Sequence, residues 1–305
     1  MGIRRPAPPL RPEGGAMKLG TLRDGTRDGR LVVIDHDVIH ATDVGHLAPS
    51  LLCALENWAA VGPELDLVAR GLDGGAQPME RFHERAAQSP LPHGPRLLIA
   101  RDPAGPDDAA PRLRPVAADA FLDPRGVLPE ASEIAVSLAV AAGPVAAGAS
   151  AAEAGATIRL VLLMLSLSGP EFEAGAEPVA FAPAAVTPEA LEAAGGWELA
   201  PRLTINEQSF GPGRAPGSRA DFAALIARAA EAGSVAAGSL IAGPALIRRP
   251  IEAGDRIRLD LREAGGRSVF GAIELVVGDG APRAAVTTGA AVGAGVAAQM
   301  MWAPY

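Results

Sequence analysis

The residues of this sequence that could do chemistry are its histidines, its single cysteine and a few serines and acids. The five histidines are His36, His40, His46, His83 and His93. Their spacings match no metal motif, so we interpret them as solvent-exposed turn and cap residues. Cys53 lies inside an apolar helical pattern. We interpret it as a buried, inert thiol rather than a nucleophile.

Ser137, Ser166 and Ser168 lie on two apolar segments and are the candidate hydroxyl nucleophiles. A serine becomes a nucleophile when a neighbouring base takes its proton, and a histidine from the N-terminal part of the chain could do so. A serine on an apolar strand is more often only a tolerated small polar residue. The sequence therefore leaves a serine-based enzyme as one alternative.

Glu171, Glu173 and Glu177 form an acidic cluster that could provide oxygen ligands for a hard cation. The competing interpretation is a solvated, charged loop without a ligand. We favour the charged loop.

Composition excludes several classes of partner. Of the 305 residues 49% are hydrophobic and 20% are charged, and the net charge is −8. Nucleic-acid binding is not expected, because it needs clustered basic residues and the arginines here are scattered. One cysteine allows no disulfide within the chain, which fits the cytoplasm. No apolar stretch has the length and flanks of a membrane span.

The pattern along the chain predicts two folded parts that hold these residues. The expected divisions are a disordered leader at 1–16, a small β-rich N-terminal domain at 17–75, a linker with one strand at 76–115, a C-terminal domain at 116–278 and a loosely ordered tail at 279–305. In the N-terminal domain a meander of three strands, the third at 38–41, precedes two helices.

The C-terminal part is rich in predicted strands. Residues 133–143 and 158–167 are too apolar for one-sided exposure, so they should lie inside a sheet stack. A helix is predicted over 219–232, where Ser218 caps it and Asp221 lies three residues on. Residues 256–262 and 268–277 read as a hairpin. The predicted fold class is mainly β with a few helices, that is, α+β.

The order of these segments resembles the fumarylacetoacetate hydrolase family, especially its bacterial members with a short N-terminal domain. The matching segments are 17–33, 89–92, 118–122, 139–143, 158–162, 181–191, 236–241, 254–259 and 267–273. Together they extend over most of residues 17–277.

The resemblance implies a C-terminal domain of stacked, rolled β-sheets and a homodimer. It also implies a divalent metal, Mg²⁺, Mn²⁺ or Ca²⁺, that is held by carboxylates and chelates a keto acid while a C–C bond is cleaved. A lysine would stabilise the developing negative charge, and a histidine–carboxylate pair would activate water.

The chain departs from the family at each of these positions. Ala135 and Ser137 stand where the resemblance places two glutamate ligands, and Ser166 where it places an aspartate. Glu177 replaces the lysine, and Ala245 lies where a threonine is expected. Residues 94–101, which should hold the remaining aspartate and the histidine, are shortened and lack both.

These departures predict a family homologue that has lost metal-dependent C–C hydrolysis. We expect no metal or other cofactor, and a non-catalytic binding or assembly subunit that forms a homodimer or a heteromer with a related enzyme. The old pocket could still take a small acidic ligand. The alternative is a diverged hydrolase or decarboxylase that acts on a small keto acid at a non-standard site. A substitute metal site at Glu171, Glu173 and Glu177 also stays open.

Overall fold

The computed structural model describes residues 15–102, 111–119, 121–129, 131–170 and 172–278. The predicted tail and all but two residues of the predicted leader lie outside these ranges, so both stay predictions.

Strands dominate the described residues. In chain order they are β1 (Lys18–Leu22), β2 (Arg30–Ile34), β3 (His40–Asp43), β4 (Glu80–Arg81), β5 (Leu97–Arg101), β6 (Arg112–Val116), β7 (Arg125–Leu128), β8 (Glu133–Ala142), β9 (Ile158–Ser168), β10 (Val179–Phe181), β11 (Ala184–Val186), β12 (Arg202–Ile205), β13 (Gln208–Phe210), β14 (Ser239–Ala242), β15 (Ile247–Pro250), β16 (Arg256–Asp260) and β17 (Ile273–Val277). The predicted class, mainly β with a few helices, is confirmed.

The described residues form five helices, of which the longest has 16 residues. They are α1 (Leu51–Glu56), α2 (Trp58–Asp73), α3 (Ala151–Gly155), α4 (Pro188–Ala194) and α5 (Arg219–Glu231). The predicted capping box is formed at α5, where Ser218 and Asp221 bond each other's backbone N–H groups. No helix in the described ranges is long and apolar enough to cross a membrane.

Twelve of the strands make one large sheet, and its main path runs β4-β3-β2-β1-β11-β9-β8-β14-β5-β6. The N-terminal meander is joined to the C-terminal part by antiparallel pairing of β1 with β11, where Lys18 faces Val186. The third meander strand begins at His40 and not at Val38. Val38 adopts a φ of 59°, which a β-branched residue tolerates poorly and a strand does not accept.

The segment predicted as a linker, 76–115, contributes to this sheet. It holds β4, β5 and most of β6, whereas one strand was expected. The reason lies in burial and pairing: Leu97 and Leu98 are buried, and β5 runs parallel to β14. The segment 76–115 therefore belongs to the large sheet and is not a free connection between domains.

The central pair of the large sheet is β8 with β9. They pair antiparallel from Glu133 opposite Ser168 to Ala142 opposite Ile158. Both strands are buried over nearly their whole length, as their apolar sequences predicted.

Each face of β8 and β9 packs on a different core. The sheet-side core takes alternate residues, such as Val136, Leu163 and Leu165, and joins them to α5 and to a second sheet of order β13-β12-β16-β17-β7. The pairing of β16 with β17 realises the predicted hairpin, although the second strand begins only at Ile273. The helix-side core takes the intervening residues, such as Leu162 and Met164, and joins them to α1 and α2.

Candidate functional site

The helix-side face of the central strand pair is apolar along most of its length and becomes polar at one end. Residues two apart on a strand share a face, and residues directly opposite in an antiparallel pair point the same way. Ala135 lies opposite Ser166, and Glu133 lies opposite Ser168. This register places Ala135, Ser137, Ser166 and Ser168 on one face, beyond the last residues of the helix-side core.

A small cavity opens at this end of the face. Its volume of about 20 Å³ is enough for one water molecule. The five positions singled out in the sequence all line it: Ala135, Ser137, Ser166, Glu177 and Ala245. Segments far apart in the sequence thus meet at one place, which the linear pattern alone did not establish.

Three arginines complete the wall of the cavity: Arg101 on β5, Arg114 on β6 and Arg248 on β15. Strand register brings them together. Arg248 pairs directly with Ala135 of β8, while Arg114 lies opposite Ile99, which shares a face with Arg101. Each guanidinium group therefore comes from a different strand.

The Glu177 carboxylate is bound on both oxygens by the Arg114 guanidinium, at 2.8 Å each. The backbone N–H of Gly175 also donates to it, at 2.8 Å. Burial acts to raise the pKa of Glu177, but the hydrogen bonds and charge of Arg114 outweigh it and the net pKa is lowered. Glu177 is therefore ionised and fully engaged.

A second acid, Glu133, engages Arg248 at 2.9 Å and accepts a hydrogen bond from the Ser168 hydroxyl at 3.1 Å. Arg101 has no such close partner in the described residues. Its nearest carboxylate oxygen, on Glu177, is 3.9 Å away. Burial, followed by the charges of Arg114 and Arg248, lowers the pKa of Arg101.

Two hydroxyl groups on the cavity wall are weakly used. The Ser166 hydroxyl reaches only the carbonyl of Ala135, at 3.5 Å, which is the limit of a hydrogen bond. Ser137 is 2% exposed, and the described part of the chain gives its hydroxyl no hydrogen-bond partner. Both groups stay available to a molecule in the cavity.

Part of the chain is similar to a known protein family. Residues 17–93 match the family model described as "Fumarylacetoacetase N-terminal domain 2". This match covers the N-terminal part of the chain, and the rest is compared through its fold alone. No curated protein matches it in sequence.

Solved structures share the fold over most of the chain. Maleylpyruvate hydrolase from Sphingobium sp. SYK-6 is 17% identical with a TM-score of 0.61, and the match covers 86% of this chain and 100% of that one. Fumarylacetoacetate hydrolase from Exiguobacterium antarcticum is 16% identical, with a TM-score of 0.61 and coverage of 86% and 99%. The 2-hydroxyhepta-2,4-diene-1,7-dioate isomerase from Mycobacterium marinum is 16% identical, with a TM-score of 0.56 and coverage of 86% and 98%.

The residues at this site do not fit the divalent metal that the fumarylacetoacetate hydrolase resemblance implies. Within the described ranges no group of three histidine, cysteine or acidic residues could hold a metal ion. Glu177 and Glu133 are each bound to an arginine. Of the proposed substitute cluster, Glu173 is exposed and Glu171 lies outside the described residues.

The serine–histidine alternative lacks its base. None of the five histidines, all within the described residues, lines the cavity. His40 is held 2.9 Å from Asp35, and His93 lies 3.3 Å from Asp28, both in the N-terminal part. Cys53, in α1, is partly buried and does not line the cavity. The structure does not bring these residues to the cavity.

The arginines were not singled out from the sequence. One signal could have found them: an acid at position 177, where the resemblance places a lysine, needs a cation to offset it if it is partly buried. The arginine-rich sequence of β6, Arg112–Val116, is a candidate source. Because β6, β8 and β15 are distant in the chain, only strand pairing identifies Arg114 and Arg248 as neighbours of the same cavity.

Proposed function

We propose that this chain is a fumarylacetoacetate hydrolase homologue that does not perform metal-dependent C–C hydrolysis and acts as a non-catalytic binding or assembly subunit. One observation carries the proposal. The positions where the resemblance places the metal ligands line a cavity that is walled by three guanidinium groups, and in the described residues Glu177 and Glu133 beside it are already in ion pairs.

Electrostatics supports this interpretation. A dication about 4 Å from a single guanidinium group would be repelled by roughly 2–8 kcal/mol, depending on the local dielectric constant. Three such groups line the cavity, and the serines at positions 137 and 166 carry no charge to offset a metal. The donor set favours an anion over a cation.

The assembly role is supported by what the fold retains. The two cores on either side of β8 and β9 are complete in the described residues, and the strands pair along their full length. The chain therefore keeps a stable family framework while its site chemistry differs. We propose that it pairs with a second copy or with a related enzyme of the same family.

The metal prediction can be tested by direct binding. We expect no saturable binding of Mn²⁺ in calorimetry and no turnover of acylpyruvates or oxaloacetate with Mg²⁺ or Mn²⁺. The maleylpyruvate hydrolase from Sphingobium is the matched positive control under the same conditions. Turnover that a chelator abolishes would contradict the proposal.

The assembly prediction needs the protein from its native cell. Mass spectrometry of a tagged copy should recover a related enzyme at a stoichiometric ratio, and light scattering of the purified chain should otherwise show a dimer. Recovery of no stoichiometric partner from the cell, together with a monomer in light scattering, would remove the assembly role.

The alternative function is a metal-free hydrolase or decarboxylase that acts on a small keto acid. The observation in its favour is the position of the Ser137 hydroxyl on the cavity wall, where the described residues give it no hydrogen-bond partner. Turnover that persists in excess chelator and is lost in Ser137→Ala would favour this alternative over the non-catalytic role.

A further inference from the structure

We propose that the cavity is a metal-independent binding site for the carboxylate group of a small organic acid, and that Arg101 is the residue that binds it. The inference deepens the proposed function and rests on it, because it assumes that no metal occupies the site.

Among the described residues, Arg101 is the guanidinium group at the cavity without an acid closer than 3.9 Å. Arg114 is bound on two nitrogens by Glu177, and Arg248 is bound by Glu133. The contact of Arg101 with Glu177, at 3.9 Å, is too long for a hydrogen bond. Arg101 is 46% exposed, so its donors can be reached from solvent.

The local charge is unbalanced. Among the described residues, three guanidinium groups meet two carboxylates, so these side chains together carry one net positive charge in a protein whose overall charge is negative. Like charges this close disfavour each other, and an added anion would relieve the repulsion that Arg101 experiences from Arg114 and Arg248. An arginine binds a carboxylate through two parallel N–H···O bonds, which adds geometric specificity to the charge.

Neutral donors extend the arginine site. The hydroxyls of Ser137 and Ser166 line the same cavity and have no strong partner in the described residues. The Arg114 Nε is buried without a hydrogen-bond partner in the same part of the chain. A bound oxyanion could accept hydrogen bonds from these groups.

The shape of the guanidinium group selects the ligand. Its planar fork matches a planar carboxylate, and the small cavity beside it opens to solvent. The remainder of the molecule would extend outward past Arg101 and Arg248, which are both about half exposed. We therefore expect a short monocarboxylate or dicarboxylate, and weaker binding of the larger, tetrahedral inorganic phosphate.

The experiment is a titration of the full chain with pyruvate, oxalate and inorganic phosphate in excess chelator, followed by calorimetry or ligand-observed NMR. Pyruvate or oxalate should bind without metal and more tightly than phosphate. Arg101→Gln should weaken this binding at least about tenfold, since it removes a charge-assisted pair of hydrogen bonds. Arg101→Lys, which keeps the charge and loses the planar fork, should give an intermediate loss.

Arg249→Gln is the matched control. Arg249 is the next residue of the same strand as Arg248, and its guanidinium lies over the Phe210 ring, 4.6 Å from the ring centre. The Arg249→Gln substitution removes the same charge outside the cavity and should leave carboxylate binding unchanged. Thermal unfolding of each variant checks that its fold is retained, and we expect no folding defect from the loss of Arg101 because its side chain is half exposed.

The outcomes separate the two proposals. No carboxylate binding in chelator, or binding that Arg101→Gln leaves unchanged, overturns the anion site and leaves the non-catalytic function standing. Carboxylate binding that appears only when Mn²⁺ is added overturns both. Tighter binding of phosphate than of pyruvate and oxalate rejects the organic acid as the ligand.

Discussion

At the scale of single residues, Lys18 has an unusual environment. It is the only lysine among 27 basic residues. Its ammonium group donates to the carbonyls of His36, at 2.8 Å, and Ser268, at 3.1 Å. Burial lowers its pKa to about 8, against the opposing influence of Glu263, Asp35 and Asp37. The lysine thus joins the meander to the end of the β16–β17 connection.

This pKa predicts a pH dependence of stability. Between pH 8 and 10.5 the unfolded chain binds a proton at Lys18 that the folded chain has released, so stability rises with pH across that window. The free energy of unfolding of the wild type, relative to Lys18→Met, should increase by about 1–3 kcal/mol from pH 8 to pH 10. Urea unfolding at several pH values measures it.

NMR gives an independent readout. Isotope-labelled lysine yields one side-chain signal, because the chain has one lysine. That signal should titrate near pH 8 in the folded protein. A midpoint near the ordinary value of 10.5 would contradict the assignment.

The Glu177–Arg114 pair provides a second residue-scale prediction. The Glu177 carboxyl is 12% exposed, so Arg114→Met would leave it ionised and nearly buried without its partner. We expect a loss of about 1–3 kcal/mol in the free energy of unfolding, and partial recovery in the double variant Arg114→Met, Glu177→Gln. The loss should shrink at low pH, where Glu177 becomes protonated and its charge disappears.

An exposed ion pair is the control for this double-mutant cycle. Arg23 contacts Asp123 at the surface, with 51% and 37% of the side chains exposed. Arg23→Met should change stability by about 0.5 kcal/mol or less. If the losses of unfolding free energy in Arg114→Met and in Glu177→Gln add up to the loss in the double variant, the two side chains are not coupled.

At the scale of elements, β9 contributes residues both to the sheet-side core and to the cavity. Leu163 is fully buried in the sheet-side core, whereas Ser166, three residues on, faces the cavity. Leu163→Ala should lower the free energy of unfolding by about 2–5 kcal/mol. Ser166→Ala should cost well under 1 kcal/mol, because its hydroxyl makes only a 3.5 Å contact. Chemical denaturation of both variants checks the difference.

Local patterns predicted some elements well and others poorly. The helix α5 was predicted to within one residue, because its capping box is a contact between neighbours in the sequence. The strand β6 was not recognised, since Arg112–Val116 contains a proline and little apolar pattern. Its conformation depends on pairing with β5. The arginine wall was missed for the same reason, whereas the substituted positions were predicted from the family resemblance and stay a prediction.

At the scale of the whole molecule, the predicted N-terminal domain shares its core with the rest of the chain. The helix-side core includes Leu51, Leu55 and Leu65 from the N-terminal part and Leu160, Leu162 and Phe181 from the C-terminal part.

A fragment of residues 17–93, the part that matches the family model, should therefore not fold alone. It would lose both β11, the partner of β1, and 12 of the 26 buried residues of the helix-side core. The fragment should give an NMR spectrum with narrow amide dispersion and show no cooperative thermal transition. The full chain should show wide amide dispersion and a cooperative transition. A cooperative transition in the fragment would show that the domain is independent.

The pairing of β1 with β11 also has a consequence for synthesis on the ribosome. About 160 residues separate the two strands, so at roughly 5–20 residues per second β1 emerges about 10–30 s before its partner exists. During that interval one edge of the meander is an open template for any other extended chain. The nascent protein thus has a defined period of vulnerability to misassembly, which ends when residue 186 leaves the exit tunnel.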